Sequence, residues 1–191
     1  MSRCSVDCQG FEKRILSLQQ TFHYDSDFWK NKAEFNLPGG ETGFDLQETK
    51  LPTYWETPFF KICLGMMYDH QMRSIAVEKQ ADSLYSLIAD GQHRATSLSR
   101  NKWKSLVGPE ASLQPHCNTQ GFNAVGTNSD KAKARIGIVA NQEKHCGSCD
   151  SRIGFGTGGY PDDSSTCGNE AKHRSDNGDK HIKAFGYILV Q

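Results

Sequence analysis

The sequence predicts an α+β domain, irregular and loop-rich, with short antiparallel strands and few short helices. Three observations lead there. Strand-like apolar runs recur as FKICLGMM, SIAVE, SLYSLIA, HRATSLS, ARIGIVA and FGYILVQ. Turn residues punctuate them, as at Asp90-Gly91 between SLYSLIA and HRATSLS. Helical periodicity is confined to one stretch near the start. A chain of 191 residues fits one domain and is long enough to bury a true core.

That stretch is GFEKRILSLQQTF, where Phe11, Ile15, Leu18 and Phe22 fall on one helical face. It gives residues 1–24 as a helical lead-in and 25–191 as the main domain. Such a helix either packs on its own domain or ends an oligomerisation stalk. From Asp25 to Pro58 the chain reads as long ordered loop, anchored by Trp29, Phe35, Phe44, Tyr54 and Trp55. The strand signals follow. The last run, Ile182 to Val190, is the most apolar and is expected at the centre of a sheet, with DNGD at Asp176 to Asp179 turning into it.

Lys plus Arg and Asp plus Glu balance at 22 each, which removes the broad electrostatic attraction that nucleic-acid and anionic-membrane binders use. No nucleic-acid partner is expected. The longest apolar runs are strand-sized, well short of the ~20 residues of a membrane helix, so no membrane span and a soluble protein are expected. Seven cysteines, Cys4, Cys8, Cys63, Cys117, Cys146, Cys149 and Cys167, suit an oxidising, extracellular setting. The opening MSRCSVDCQG lacks the apolar core of a secretory signal, so either a leader has been replaced or the compartment is a reducing one. An odd count leaves at least one thiol free or bonded to another chain, which admits a disulfide-linked or helix-mediated oligomer.

The run Asn141 to Asn169 combines cysteines, acids and amides with Gly154, Gly156, Gly158, Gly159 and Gly168. A segment so poor in apolar side chains is expected to be ordered by disulfides, a metal, or both. Cys146 and Cys149 form a CxxC, but the glycine run after it supplies no helix N-terminus to activate a thiol. Gly154, Gly156 and Gly159 match GxGxxG, yet no helix can follow to face a pyrophosphate. They are read instead as a loop curling around an ion or ligand. Cys146, Cys149 and Cys167 with His173 or His181 would make a zinc site and an intracellular protein. Oxygens of Asn141, Glu143, Asp150, Asp162, Asp163 and Asn169 would suit calcium, which accepts many ligands in flexible geometry; the same side chains also make surface Asx turns. Seven histidines offer bases, but no GxSxG or HExxH frames them, so the chain is not expected to be an enzyme.

In order, NQE, the CxxC with Asp150, RIGFGTGGYP, an acid, CGN and a closing apolar strand resemble the C-terminal half of intelectins, X-type calcium-dependent lectins near the fibrinogen-related domains. That likeness covers residues 115–191. LPTYWETPF, ICLGM, SLYSLIADG and DNGDKHIKAFGYILVQ are also similar to secreted fibrinogen-like cnidarian proteins, some of skeletal organic matrix. The resemblance implies a fibrinogen/intelectin-like fold and a secreted Ca2+-dependent lectin recognising glycans or extracellular matrix. It puts Asn141 or Gln142 with Glu143, then Asp150, then Asp162 or Asp163, then Asn169, around the calcium. Asp150, Tyr160 and His173 are the candidate ligand contacts. Implied disulfides are Cys117 with Cys146 and Cys63 with Cys167. The family's aromatics after its Cys-Gly-Asp step are absent from EAKHRSDNG.

Overall fold

The structure, a computed structural model, describes residues 15–16, 20–41 and 46–191. Its strands are β1 (Ile15–Leu16), β2 (Phe59–Tyr68), β3 (Gln71–Ala81), β4 (His116–Val125), β5 (Lys133–Asn141), β6 (Ser151–Gly158), β7 (Cys167–Ala171), β8 (Lys180–Lys183) and β9 (Phe185–Val190). They form two antiparallel sheets, ordered β1-β9-β2-β3 and β4-β5-β6-β7-β8. Among the described residues helices are limited to α1 (Thr53–Glu56), α2 (Leu84–Ile88), α3 (Arg100–Lys104) and a few 3-10 turns. This corrects the α+β expectation: the chain is mostly β.

The sheets share one core. Ile62, Leu64 and Met66 alternate inward from β2 and meet Ile136, Ile138, Ile153 and Phe155 of the second sheet. The odd positions of the first sheet, Cys63, Tyr187 and Leu189, form a separate cluster on its other face. At Ala184 the chain crosses between sheets, and β9 enters the first sheet at an inner position between β1 and β2. The final apolar run is thus divided: Ile182 belongs to the second sheet and Phe185–Val190 to the first.

Three local expectations change. SLYSLIA is helix α2, because Ser83 and Ser86 cap each other reciprocally and Leu84, Leu87 and Ile88 share the buried face. HRATSLS contributes one bridge, Arg94 to Phe122, and no strand. The glycine run is no ion-binding loop but strand β6, buried at every position. Its glycines permit close strand contact. A Cβ on Gly154 would lie 2.5 Å from the Ile136 carbonyl and 2.9 Å from Gly137 Cα. Of the expected N-terminal helix, Ile15–Leu16 is strand, paired with Tyr187 and Gly186, and Gln20–Phe22 is a 3-10 turn; the rest lies outside the described residues.

The loop before β2 is ordered by aromatics, as its composition suggests. Phe22, Phe28, Trp29, Phe35 and Tyr54 form a chain of edge and tilted ring contacts. Trp29 lies against Gly156 of β6, and the Tyr24 amide donates to the Thr157 carbonyl at 3.1 Å, tying the loop to the second sheet.

Candidate functional site

Val139, Arg152, Glu170 and His181 stand in register on four neighbouring strands, β5 to β8. This row faces away from the shared core, on the side where Val139 packs with Ala132 and Cys149. Loops 126–132, 142–150 and 159–166 lie against this side. The 159–166 turn starts at Gly159, whose φ of +75° and approach to the Lys131 carbonyl exclude a side chain.

Arg152 organises that turn from beneath. Its guanidinium is fully buried and donates to the carbonyls of Gly159 (2.9 Å), Tyr160 (3.2 Å), Ser165 (3.3 Å) and Asp162. Burial pushes its ordinarily very high pKa down to about 10, opposed by Glu170, Asp162 and Asp163. None of its hydrogen bonds reaches its cross-strand partner Glu170. The Glu170 carboxyl is buried, and burial raises its pKa against the pull of His181 and Arg152. Glu170 Oε1 lies 2.7 Å from His181 Nδ1, which is also 3.2 Å from Asp162 Oδ2.

A second cluster occupies the neighbouring rim. The Tyr160 hydroxyl and His173 Nε2 are 2.7 Å apart, with the two rings stacked at 4° and centroids 5.9 Å apart. His173 and Arg174 both adopt left-handed backbone, with φ of 54° and 62°, an uncommon state for such residues. Lys131 Nζ lies 4.6 Å from the Tyr160 ring centroid and 3.9 Å from Asp150 Oδ1. Burial raises the Asp150 pKa, with Lys131 and His173 opposing it. Behind them Gln114 joins three segments: it accepts from the Asp150 amide at 3.0 Å and donates to the His173 carbonyl at 3.0 Å and to Gln142 Oε1 at 3.3 Å. Gln142 in turn donates to Glu143 at 3.0 Å.

The sequence-predicted residues therefore divide. Asp150, Tyr160 and His173 share the rim, with Gln142 and Glu143 at its edge. Asp162 belongs to the Glu170–His181 group, while Asp163 turns the other way to His23 at 2.9 Å. Asn169 is an internal strap: it accepts from the Ser112 amide and donates to the carbonyls of Ser112, Arg152 and Glu170. Asn141 likewise binds the His145 carbonyl, Ser148 and the Gln142 amide. Their oxygens serve the fold, and the calcium set does not converge on one point.

Cys117 is bonded to Cys146. The implied Cys63–Cys167 bond is not formed, because Cys63 faces the outer cluster of the first sheet and Cys167 points into the shared core as a thiol. Cys149 is also a buried thiol, pushed up to about 11 by burial and the neighbouring Asp150. The cysteine-rich zinc site is thus not assembled. Among the described residues, Asp162, Glu170 and His181 are the one set of three or more His, Cys, Asp or Glu side chains gathered closely enough to hold a metal. Arg152 and Glu170 escape sequence reading because only strand register brings them together, and Lys131 because it reaches Asp150 and Tyr160 from a separate loop; Glu170 beside Asn169 in CGNE is the nearest signal.

No family model matches the chain, and neither a curated protein nor a solved structure does. The fold and the rim define a class, a two-sheet β domain with a polar and aromatic surface on the outer side of one sheet. Among the described residues no helix is long and apolar enough to cross a membrane.

Proposed function

We propose that this is a secreted, non-enzymatic carbohydrate-binding module whose recognition surface is the Asp150–Tyr160–His173 rim. One observation carries the reading: a Tyr–His pair, held at 2.7 Å and stacked, stands beside a carboxylate and a lysine contributed by other segments. Sugars offer hydroxyls that need both donors and acceptors over a semi-apolar patch. The partly exposed Tyr160 ring supplies the patch, Lys131, His173, Gln142 and Glu143 supply the polar groups, and the largely buried Asp150 holds Lys131 in place. The resemblance to intelectins supports the same reading. The aromatic missing from EAKHRSDNG is provided here by Tyr160, from before the strand rather than after it. The reading invokes direct side-chain contacts in place of the calcium that the resemblance implies.

A glycan array run with and without added calcium tests this. Reproducible hits in both conditions, lost in Tyr160→Ala and Asp150→Ala of unchanged circular dichroism, are expected. Hits that survive both substitutions, or a silent array, overturn the reading; silence leaves a matrix protein that binds other proteins.

A further inference from the structure

We propose that Asp162, Glu170 and His181 form a mononuclear site for a first-row divalent cation, zinc foremost. The inference does not rest on the glycan reading. The three ligand atoms, from two strands and the turn between β6 and β7, lie within 4.8 Å of one another. Ligands about 2.0–2.2 Å from a tetrahedral zinc stand roughly 3–3.5 Å apart. The spacing of 3.2 Å between His181 Nδ1 and Asp162 Oδ2 falls in that range, and the 2.7 Å to Glu170 Oε1 is slightly short of it.

A second observation points to a ligand. Glu170 is 2% exposed, and its Oε1 has no hydrogen bond despite its closeness to the imidazole. Burying a carboxylate oxygen without a partner is costly, and such groups are normally paired or coordinate metals. Apart from His181 itself, the nearby cations direct their donors elsewhere. Arg152 directs its donors to four carbonyls of the 159–165 turn, and Lys183 Nζ goes to Ser164 at 3.2 Å. The Glu170 carboxylate is thus aimed at the imidazole nitrogen and Asp162, not at the guanidinium.

The donor set selects the metal. One imidazole and two carboxylates suit zinc or another borderline ion; calcium prefers six to eight oxygens, and magnesium keeps most of its waters. Three protein ligands leave a fourth position for water. Because Asp162 lies in the turn that carries Tyr160, the ion would clamp this turn onto β7 and β8.

The test is isothermal titration of the chelator-treated, dialysed full chain with zinc chloride, then with calcium chloride, beside His181→Ala and Glu170→Gln. His181 is half-exposed, so its truncation spares the core. Binding of one zinc per chain is expected, at least tenfold tighter than calcium and at least tenfold weaker in each variant, with a zinc-induced rise in melting temperature that His181→Ala abolishes. Absence of saturable zinc binding, or zinc affinity unchanged in His181→Ala, overturns the proposal. His93→Ala, remote from the cluster, is expected to bind as the parent does. His181 is not a rim contact, so glycan hits retained in His181→Ala separate this site's fate from that of the carbohydrate reading.

Discussion

Two buried cations hold two loops of this protein, and they are satisfied very differently. Lys50 sits in the aromatic loop before β2. Its Nζ donates to Asn31 O at 2.7 Å and Oδ1 at 2.9 Å, and lies 5.0 to 5.6 Å from the ring centroids of Tyr54, Trp55 and Phe28. Every direction around the amine is thus occupied by a carbonyl or a π face. Arg152 supports the 159–166 turn with four carbonyls, yet its own Nε and the facing Glu170 Oε1 have no hydrogen bond. The same device, a cation clasping backbone oxygens, is complete in one place and leaves a carboxylate in surplus in the other. Completeness marks scaffold, and surplus marks a place where something further can bind.

The contrast breaks most readily at Arg152. Arg152→Met removes the donor for four turn carbonyls and a buried positive charge that opposes Glu170, and is expected to cost about 3–5 kcal/mol in urea denaturation. Lys50→Met keeps the aromatic box filled and loses two hydrogen bonds with its cation–π contacts, a cost of about 1–2 kcal/mol. Equal losses in the two variants would remove the distinction drawn between them.

A smaller effect sharpens it. Burial lowers the Lys50 amine from 10.5 to about 8. The unfolded chain therefore holds this proton where the folded one has released it, so this residue's contribution to stability rises between about pH 8 and pH 10.5. Buried Cys149, raised from 9.0 to about 11, acts in the opposite sense over the overlapping interval between about pH 9 and pH 11, so the measurement is the difference between parent and Lys50→Met melting profiles. The expected result is that the parent gains on the variant between about pH 8 and pH 10.5; a parent that loses ground over that range would show that the ring faces outweigh burial.

Strand-by-strand reading located β2, β3, β5 and β9, whose Ile, Val and Leu content is legible without context. It missed β1, β4, β6 and β7 and ran β8 together with β9. In β6 the apolar signal is carried by Ile153 and Phe155 alone, and the interleaved glycines, of which Gly154 lies against Gly137 of β5, look like loop in isolation. The helix α2 was missed because a Ser–Ser capping box overrode the strand-like SLYSLIA. Of the proposed rim, Asp150, Tyr160 and His173 are legible in the sequence as candidate contacts, and the turn of left-handed His173 and Arg174 brings the imidazole to the tyrosine. The row Arg152–Glu170–His181 was not legible, since it exists only in the register of three strands. Asn169 showed the reverse failure: an amide that looks like a ligand is consumed by Ser112, Arg152 and Glu170.

The crossing at Ala184 bears on how the chain assembles. β2 and β3 are a hairpin of adjacent segments and can pair early, but the other edge of β2 is completed only by β9, contributed from far along the sequence. Until then a strand carrying Ile62, Leu64 and Met66 presents an open row of amides and carbonyls, a template for pairing with another molecule. Such long-range closure slows folding. The vulnerable period of this protein is therefore the wait for Phe185–Val190, and substitutions that weaken β9 should show themselves first as aggregation during refolding and only afterwards as lost stability.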